Sequence, residues 1–297
     1  MNFIDAFING LSLGGIYAMV ALGYTMVYGI AKMLNFAHGD LIMVGAYSIV
    51  LFLGPTPGEL NPIFAVCSVL LAMLICMAVG VLMEKLAYKP LRGASPLAVL
   101  ITAIGVSYFL QSMAQLAVGA NNKGTTAFDN FGTFPLFGYN IKVTTMIVLI
   151  CSVCLMVALT IFIKFSKTGR AMIAVSEDKG AAQLMGINVN FIITITFAIG
   201  AALAALAGWF KVLNMESVVP TYGALPGIIA FTAAVVGGIG SIPGAMIGGL
   251  LLGLIECFAN AIPGVGPYAN AIQFTILIIV LLVKPTGLLG KKRREKV

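Results

Sequence analysis

The sequence predicts an all-α integral membrane protein built as a single domain over residues 1–297. It should hold about eight or nine membrane segments, including short or re-entrant helices. Three observations carry this reading. The chain is 60% hydrophobic and 9% charged, with a mean hydropathy of +1.06, whereas a soluble domain carries about 25% charged residues. Charge is absent from the runs 6–31, 41–58, 60–83, 93–122, 143–163, 180–210, 217–255 and 257–283. A spanning helix needs about 20 mainly apolar residues, and nearly every run reaches that length. The runs also lack the polar–apolar alternation of barrel strands, which argues against a β-barrel.

Run 6–31 opens the chain. A secretory signal starts with positive charge ahead of its apolar stretch; here the first lysine is Lys32, after the run. The run is therefore expected to remain as a membrane helix. Residues 33–47, MLNFAHGDLIMVGAY, hold the sole histidine, His38, two positions before Asp40. The apolar piece that follows, 41–53, is short for a span. Runs 60–83, 93–122 and 143–163 are long enough to cross. Cys67, Cys76, Cys151, Cys154 and Cys257 all sit inside apolar runs. Cys151 and Cys154 form a C-x-x-C, a spacing used in redox and metal chemistry. One turn of a spanning helix also puts two such small side chains on one face, and the sequence favours that reading.

Run 217–255 is broken by Pro220, Pro226, Gly237, Gly238, Gly240, Pro243 and Gly244. Its first part, 225–238, reads as a half-helix or re-entrant piece, tolerated only where protein or a water cavity covers the backbone. Broken helices often line transport paths, so Gly237, Gly238 and Pro243 are candidate pathway residues. Gly and Pro are also simply frequent in membrane helices. Glu256, in LIECFANAIPG, is a further pathway candidate, since an intramembrane acid is functional by default. A carboxylate facing water near its helix end is the other reading. GLSLGG (10–15), GAALAALAG (200–208) and GGLLLG (248–253) place small residues at helical spacing and predict close backbone approach.

Lysine and arginine collect in cytoplasmic loops. With the N-terminus outside and the C-terminus cytoplasmic, the inside segments 32–40, 84–95, 164–190 and 284–297 hold fourteen basic residues. The outside segments hold three: Lys123, Lys142 and Lys211. The basic tail, 284–297, follows a span directly, so it reads as an anchor at the anionic lipid leaflet rather than as a nucleic-acid arm.

Segment 164–190 is too structured for a linker. Ser176 is placed to cap a short helix over 177–185, with Glu177 and Asp178 in its first turn, where the dipole favours acids. Gly186 is placed to end it. Ala181 and Ala182 allow close approach to a partner, as for a helix seated in a protein groove. A helix lying on lipid is the alternative, although that would call for more basic residues.

No G-x-x-x-x-G-K-[ST] phosphate loop occurs, no zinc spacing occurs, and no G-x-S-x-G elbow accompanies the single histidine. Enzyme chemistry has little to stand on. Buried ionisable groups are sparse as well, which speaks against a self-sufficient secondary transporter, the remaining transport class.

Four stretches in order resemble one family. Residues 9–47, NGLSLGGIYAMVALGYTMVYGIAKMLNFAHGDLIMVGAY, are similar to the opening of the LivH-type permeases of branched-chain amino-acid ABC importers. KTGRAMIAVSEDKGAAQLMGIN (167–188) resembles that family's cytoplasmic coupling segment, and FTAAVVGGIGSIPGAMIGGLLLG (231–253) and LLVKPTGLLG (281–290) resemble its later signatures. Permeases for urea and short-chain amides share the N-x-A-H-G core and stay open as an alternative. The resemblance implies a non-catalytic, multi-pass subunit in the plasma membrane of a bacterium, carrying leucine, isoleucine or valine. It implies no cofactor here, with ATP bound by two separate ATPase subunits. Further implied partners are a second permease (a LivM-type chain or a second copy), an extracytoplasmic substrate-binding protein and membrane lipid, with no nucleic acid. The implied ATPase contacts are Arg170, Glu177, Asp178, Ala182, Leu184 and Gly186. Asn35, His38 and Gly39 form a signature at a turn that topology places at the inner membrane edge. There Asn35 and His38 are expected to hydrogen-bond exposed backbone, with Gly39 permitting the turn; proton relay by His38 is the competing reading.

Overall fold

The computed structural model describes residues 3–54, 62–125, 132–136, 139–214 and 217–290. Among these, eight apolar helical stretches are long enough to cross a membrane, two of them (Phe36–Leu53 and Gly266–Val283) by including a 3-10 turn, and one apolar helix, Ala224–Gly237, is shorter. The chain runs α1 (Phe3–Ala31), a 3-10 turn (Phe36–His38), α2 (Asp40–Leu53), α3 (Pro62–Met83), a π-helical turn (Glu84–Tyr88) and α4 (Pro96–Val118). It continues through α5 (Val143–Phe165), α6 (Lys167–Glu177), α7 (Lys179–Leu184), α8 (Val189–Asn214), α9 (Ala224–Gly237), α10 (Ile242–Ala261) and α11 (Ala269–Val283). The connections are not wholly irregular. Strand β1 (Lys123–Gly124) pairs with β4 (Ser217–Val218), and β2 (Thr133–Leu136) pairs with β3 (Tyr139–Lys142), both antiparallel. Residues 291–297 of the basic tail lie outside the described residues.

Serine starts several helices. The Ser95 hydroxyl accepts the Ala98 N–H at 3.3 Å ahead of α4, and Ser241 accepts the Gly244 N–H at 3.2 Å ahead of α10. In both, a proline sits in the first helical turn, where its missing N–H costs nothing.

Helices α1, α2 and α8 form the buried centre, while α4, α5 and α11 turn apolar side chains such as Leu97, Ile150 and Leu282 outward. The small-residue stretches explain who is central. A Cβ on Gly10 would stand 2.9 Å from the Leu254 Cα, and one on Gly14 would stand 2.7 Å from the Leu250 Cα, so GLSLGG lies directly on the GGLLLG stretch of α10. A Cβ on Gly45 of α2 would stand 2.7 Å from the Ala205 Cα of α8. Lipid offers no hydrophobic drive between helices, so close backbone packing of this kind supplies the attraction.

The chain folds as two inverted halves. Helices α2 and α9 each have 14 residues, and each follows a glycine in helical conformation, Gly39 and Gly223. Each ends at a glycine with positive φ, Gly54 at 61° and Gly238 at 107°. Helix α2 packs on α8 and α3, and α9 packs on α1 and α10. Helices α1 and α8 run antiparallel, with Gly23 beside Gly200 and Asn214 donating to the Ser12 hydroxyl at 3.2 Å. The halves meet where α2 and α9 begin: a Cβ on Gly223 would stand 2.5 Å from the Gly39 carbonyl oxygen. Such inverted repeats with broken helices at their interface are a transporter architecture.

Candidate functional site

The segment between α5 and α8 folds as two helices hinged at Asp178. The Ser166 hydroxyl accepts the Gly169 N–H at 2.8 Å and starts α6, which buries Met172 and Val175 and turns Ile173 outward. Asp178 then leaves the helix with φ −151° and ψ 114°, and its Oδ1 accepts the N–H groups of Gly180 and Ala181 at 2.8 and 3.0 Å. Helix α7 stops in a Schellman turn: Gly186 N–H donates to Gln183 O at 2.9 Å, and Ile187 N–H donates to Ala182 O at 3.0 Å. Gly186 has φ 79°, which a side chain would strain.

Gly186 therefore ends the helix as expected, whereas the expected single helix over 177–185 is corrected. Ser176 lies inside α6 and its hydroxyl donates to Ile173 O at 2.7 Å. A serine within a helix turns to the carbonyl one turn back, while the carboxylate two residues on can serve two orphan N–H groups at once. Arg170, Glu177 and Asp178 are exposed. Leu184 and Met185 are 91% and 82% exposed, an apolar tip at the end of α7. Ala182 is only 3% exposed, so it seats α7 on its own chain instead of offering close approach to a partner.

Lys179, given no role by the sequence pattern beyond its charge, reaches back to α1. Its Nζ donates to the Ala31 carbonyl at 2.9 Å. Burial, helped by the nearby Arg92 charge, holds the ammonium below the ordinary lysine pKa. Arg92 itself forms an ion pair with buried Glu84 and donates to Asn190. Glu84 also accepts the Thr194 hydroxyl at 2.7 Å. This network joins the π-helical turn after α3 to the start of α8.

The signature Asn35, His38 and Gly39 is buried in the centre. The Tyr88 hydroxyl donates to Asn35 Oδ1 at 2.6 Å, and the Tyr24 ring meets the His38 ring edge-on at 4.8 Å. The His38 Nε2 faces Gly23, which lies about two turns, or ~12 Å, back from the Ala31 end of α1. The chain therefore re-enters the bundle after Lys32, and the signature lies in the protein interior. The expected capping role is corrected. No side chain caps the 3-10 turn, and Asn35 Nδ2 and His38 Nε2 have no hydrogen-bond partner. Gly39 has an ordinary helical φ of −61°. It is glycine because the Gly223 carbonyl and the Gly227 Cα, 2.7 Å from an added Cβ, leave no room. Beside it, Asp40 is buried and accepts from Gln111 Nε2 of α4 at 2.9 Å.

At the middle of α1, Glu256 Oε2 accepts from the Tyr17 hydroxyl at 2.8 Å and from Gln273 Nε2 at 2.9 Å. It braces α1, α10 and α11 together. Lys211, expected among the outside lysines, is instead buried within α8, its Nζ 4.3 Å from the centroid of the Tyr222 ring. An aromatic face receives a buried ammonium this way while the stem packs against apolar neighbours. Gly237 and Gly238 are buried where three backbones meet. Leu288 and Leu289 N–H donate to Val236 O and Gly237 O at 2.8 and 2.9 Å, so the tail caps α9. Pro243 is exposed in the first turn of α10.

The arrangement offers buried polar braces, a backbone-to-backbone centre and one exposed two-helix projection. That suits a moving membrane scaffold. The family described as branched-chain amino acid transport system, permease component, matches residues 6–281. The chain is 42% identical over 303 residues to the high-affinity branched-chain amino acid transport system permease protein BraD of Pseudomonas aeruginosa, covering 100% of this chain and 98% of that one. It is 42% identical over 312 residues to the LivH permease protein of the same description from Escherichia coli, with the same coverage, 100% and 98%. It is 29% identical over 283 residues to the probable branched-chain amino acid transport permease protein LivH of Methanocaldococcus jannaschii, covering 92% of this chain and 88% of that one. The chain belongs to the family of permease components of branched-chain amino acid transport systems.

Proposed function

We propose that this chain is the permease subunit of an ATP-driven importer that carries leucine, isoleucine and valine through the cytoplasmic membrane of a bacterium. Its N-terminus faces outside and its C-terminus the cytoplasm, as the lysine and arginine distribution favours. Two separate ATPase subunits bind the ATP, and this chain takes no cofactor of its own. A second permease completes the path, and an extracytoplasmic binding protein delivers the amino acid and sets most of the selectivity. The observation that carries this reading is the α6–α7 projection. Both of its ends are fixed by hydrogen bonds, and it presents Leu184 and Met185 almost fully exposed. A lone transporter has no use for such a tip; a helix that docks in a partner's groove does. The names of the full-length relatives support the substrate class.

Reconstitution tests the proposal. The chain alone in liposomes should move no leucine. Uptake should appear when the partner permease, both ATPase subunits, ATP and the loaded binding protein are supplied. Robust ATP-independent leucine transport by the chain alone would sink it.

A further inference from the structure

We propose that Lys179 is the linkage through which movement of the α6–α7 segment reaches α1, and through α1 the packed centre of the chain. The inference rests on the function proposed above and names the residue that passes the motion on. Helix α7 is short, six residues, and is fixed at one end by Asp178 and at the other by Gly186. It therefore moves as a unit. Its first residue, Lys179, holds the last carbonyl of α1, at Ala31, across a 2.9 Å hydrogen bond.

A helix C-terminus carries orphan carbonyls and negative partial charge, so an ammonium there is held by both hydrogen bond and field. Lys32 does not compete for this position. Its backbone takes φ 60°, which ends α1, and its own ammonium turns back to Gly29 O. Arg92 does not compete either, because Glu84 and Asn190 engage its guanidinium.

What α1 receives it must pass on. It lies backbone to backbone on α10 through Gly10 and Gly14, and Gly23 is pressed against His38. The backbone contacts have no flexible side chain to absorb a shift, the His38 ring is rigid and buried, and packed interiors transmit strain. The same α1 carries Tyr17, which holds Glu256. A displacement of α7 is thus conveyed to the His38 signature and to the Glu256 brace.

The test uses the complete importer in liposomes with leucine-loaded binding protein, reading ATP hydrolysed and leucine imported together. Lys179→Met is expected to raise the ATP consumed per leucine about tenfold, within the usual range of a coupling interaction, while hydrolysis continues. Lys179→Arg, which retains a cation and a donor, is expected to restore the wild-type ratio. A wild-type ratio in Lys179→Met would overturn the linkage. A second measurement needs no change at Lys179: spin labels at positions 32 and 183, both exposed, should keep one separation with and without ATP. A change in that separation on ATP binding also overturns it. A wild-type complex that imports leucine without ATP defeats the proposed function itself, and the linkage with it.

Discussion

Gly39 and Gly223 stand against each other's carbonyl groups at the starts of the two short helices. A Cβ on either would run into the other's backbone, with 2.5 Å from Gly223 to the Gly39 oxygen. Both have helical backbone angles, so each is glycine for space and not for conformational freedom. The contact lies where the inverted halves of the chain meet.

Gly39→Ala and Gly223→Ala should each force the α2 and α9 starts apart. Overpacking of this kind costs about 1–3 kcal/mol. The expected outcome is a lower thermal unfolding midpoint in detergent for both variants, with Gly240→Ala, at a site open to space but of positive φ, as a strain-only control. Equal midpoints for Gly39→Ala and wild type would show that the two starts can separate freely.

Arg92→Ala should be more damaging than its partial exposure implies. It would leave the Glu84 carboxylate buried, with the Thr194 hydroxyl as its remaining side-chain donor among the described residues. Breaking a buried pair from one side costs about 3–5 kcal/mol. Glu84→Gln together with Arg92→Ala should recover part of the loss, because no charge is then stranded. A double-mutant cycle on unfolding midpoints measures this, and additive losses would contradict the pairing.

Asp178→Ala and Ser176→Ala separate the two candidate caps of α7. Loss of the Asp178 cap should destabilise the helix by about 1 kcal/mol and reduce leucine uptake while membrane insertion is kept. Ser176→Ala should leave uptake near wild type, because its hydroxyl donates to Ile173 O inside α6 while Asp178 caps α7. A larger uptake defect in Ser176→Ala than in Asp178→Ala would reverse the assignment.

His38 fills space between Tyr24 and Gly23. His38→Ala should open a cavity and cost about 3 kcal/mol. His38→Gln, closer in size, should retain uptake with the wild-type pH profile. A profile flattened or shifted in His38→Gln would instead make His38 a proton carrier.

Much of this protein is legible in its sequence. Charge-free runs place the spans, because hydrocarbon excludes charge and demands long apolar helices. The prolines and glycines of 217–255 mark a short helix, and α9 is one. Gly186 marks the end of α7, because local backbone chemistry dictates a left-handed residue there. Four ordered motifs identify the family. These are local or compositional properties, and a helix in a membrane satisfies its own hydrogen bonds, so local pattern suffices.

Tertiary structure decided the rest. Asp178 rather than Ser176 caps α7, since α6 extends through Ser176 once Met172 and Val175 are buried. His38 lies deep in the bundle, because the chain re-enters after Lys32. Lys211 is buried on Tyr222 despite its charge. The inverted repeat escapes the sequence because the helix starts His38–Gly39–Asp40 and Tyr222–Gly223–Ala224 share only their glycine. Lys179 and Ala31, and Glu256 with Tyr17 and Gln273, meet across long stretches of chain. A sequence read residue by residue displays spacing along a helix. Which helices lie backbone to backbone, and so which distant polar groups share a partner, follows only when every small-residue face has found its mate.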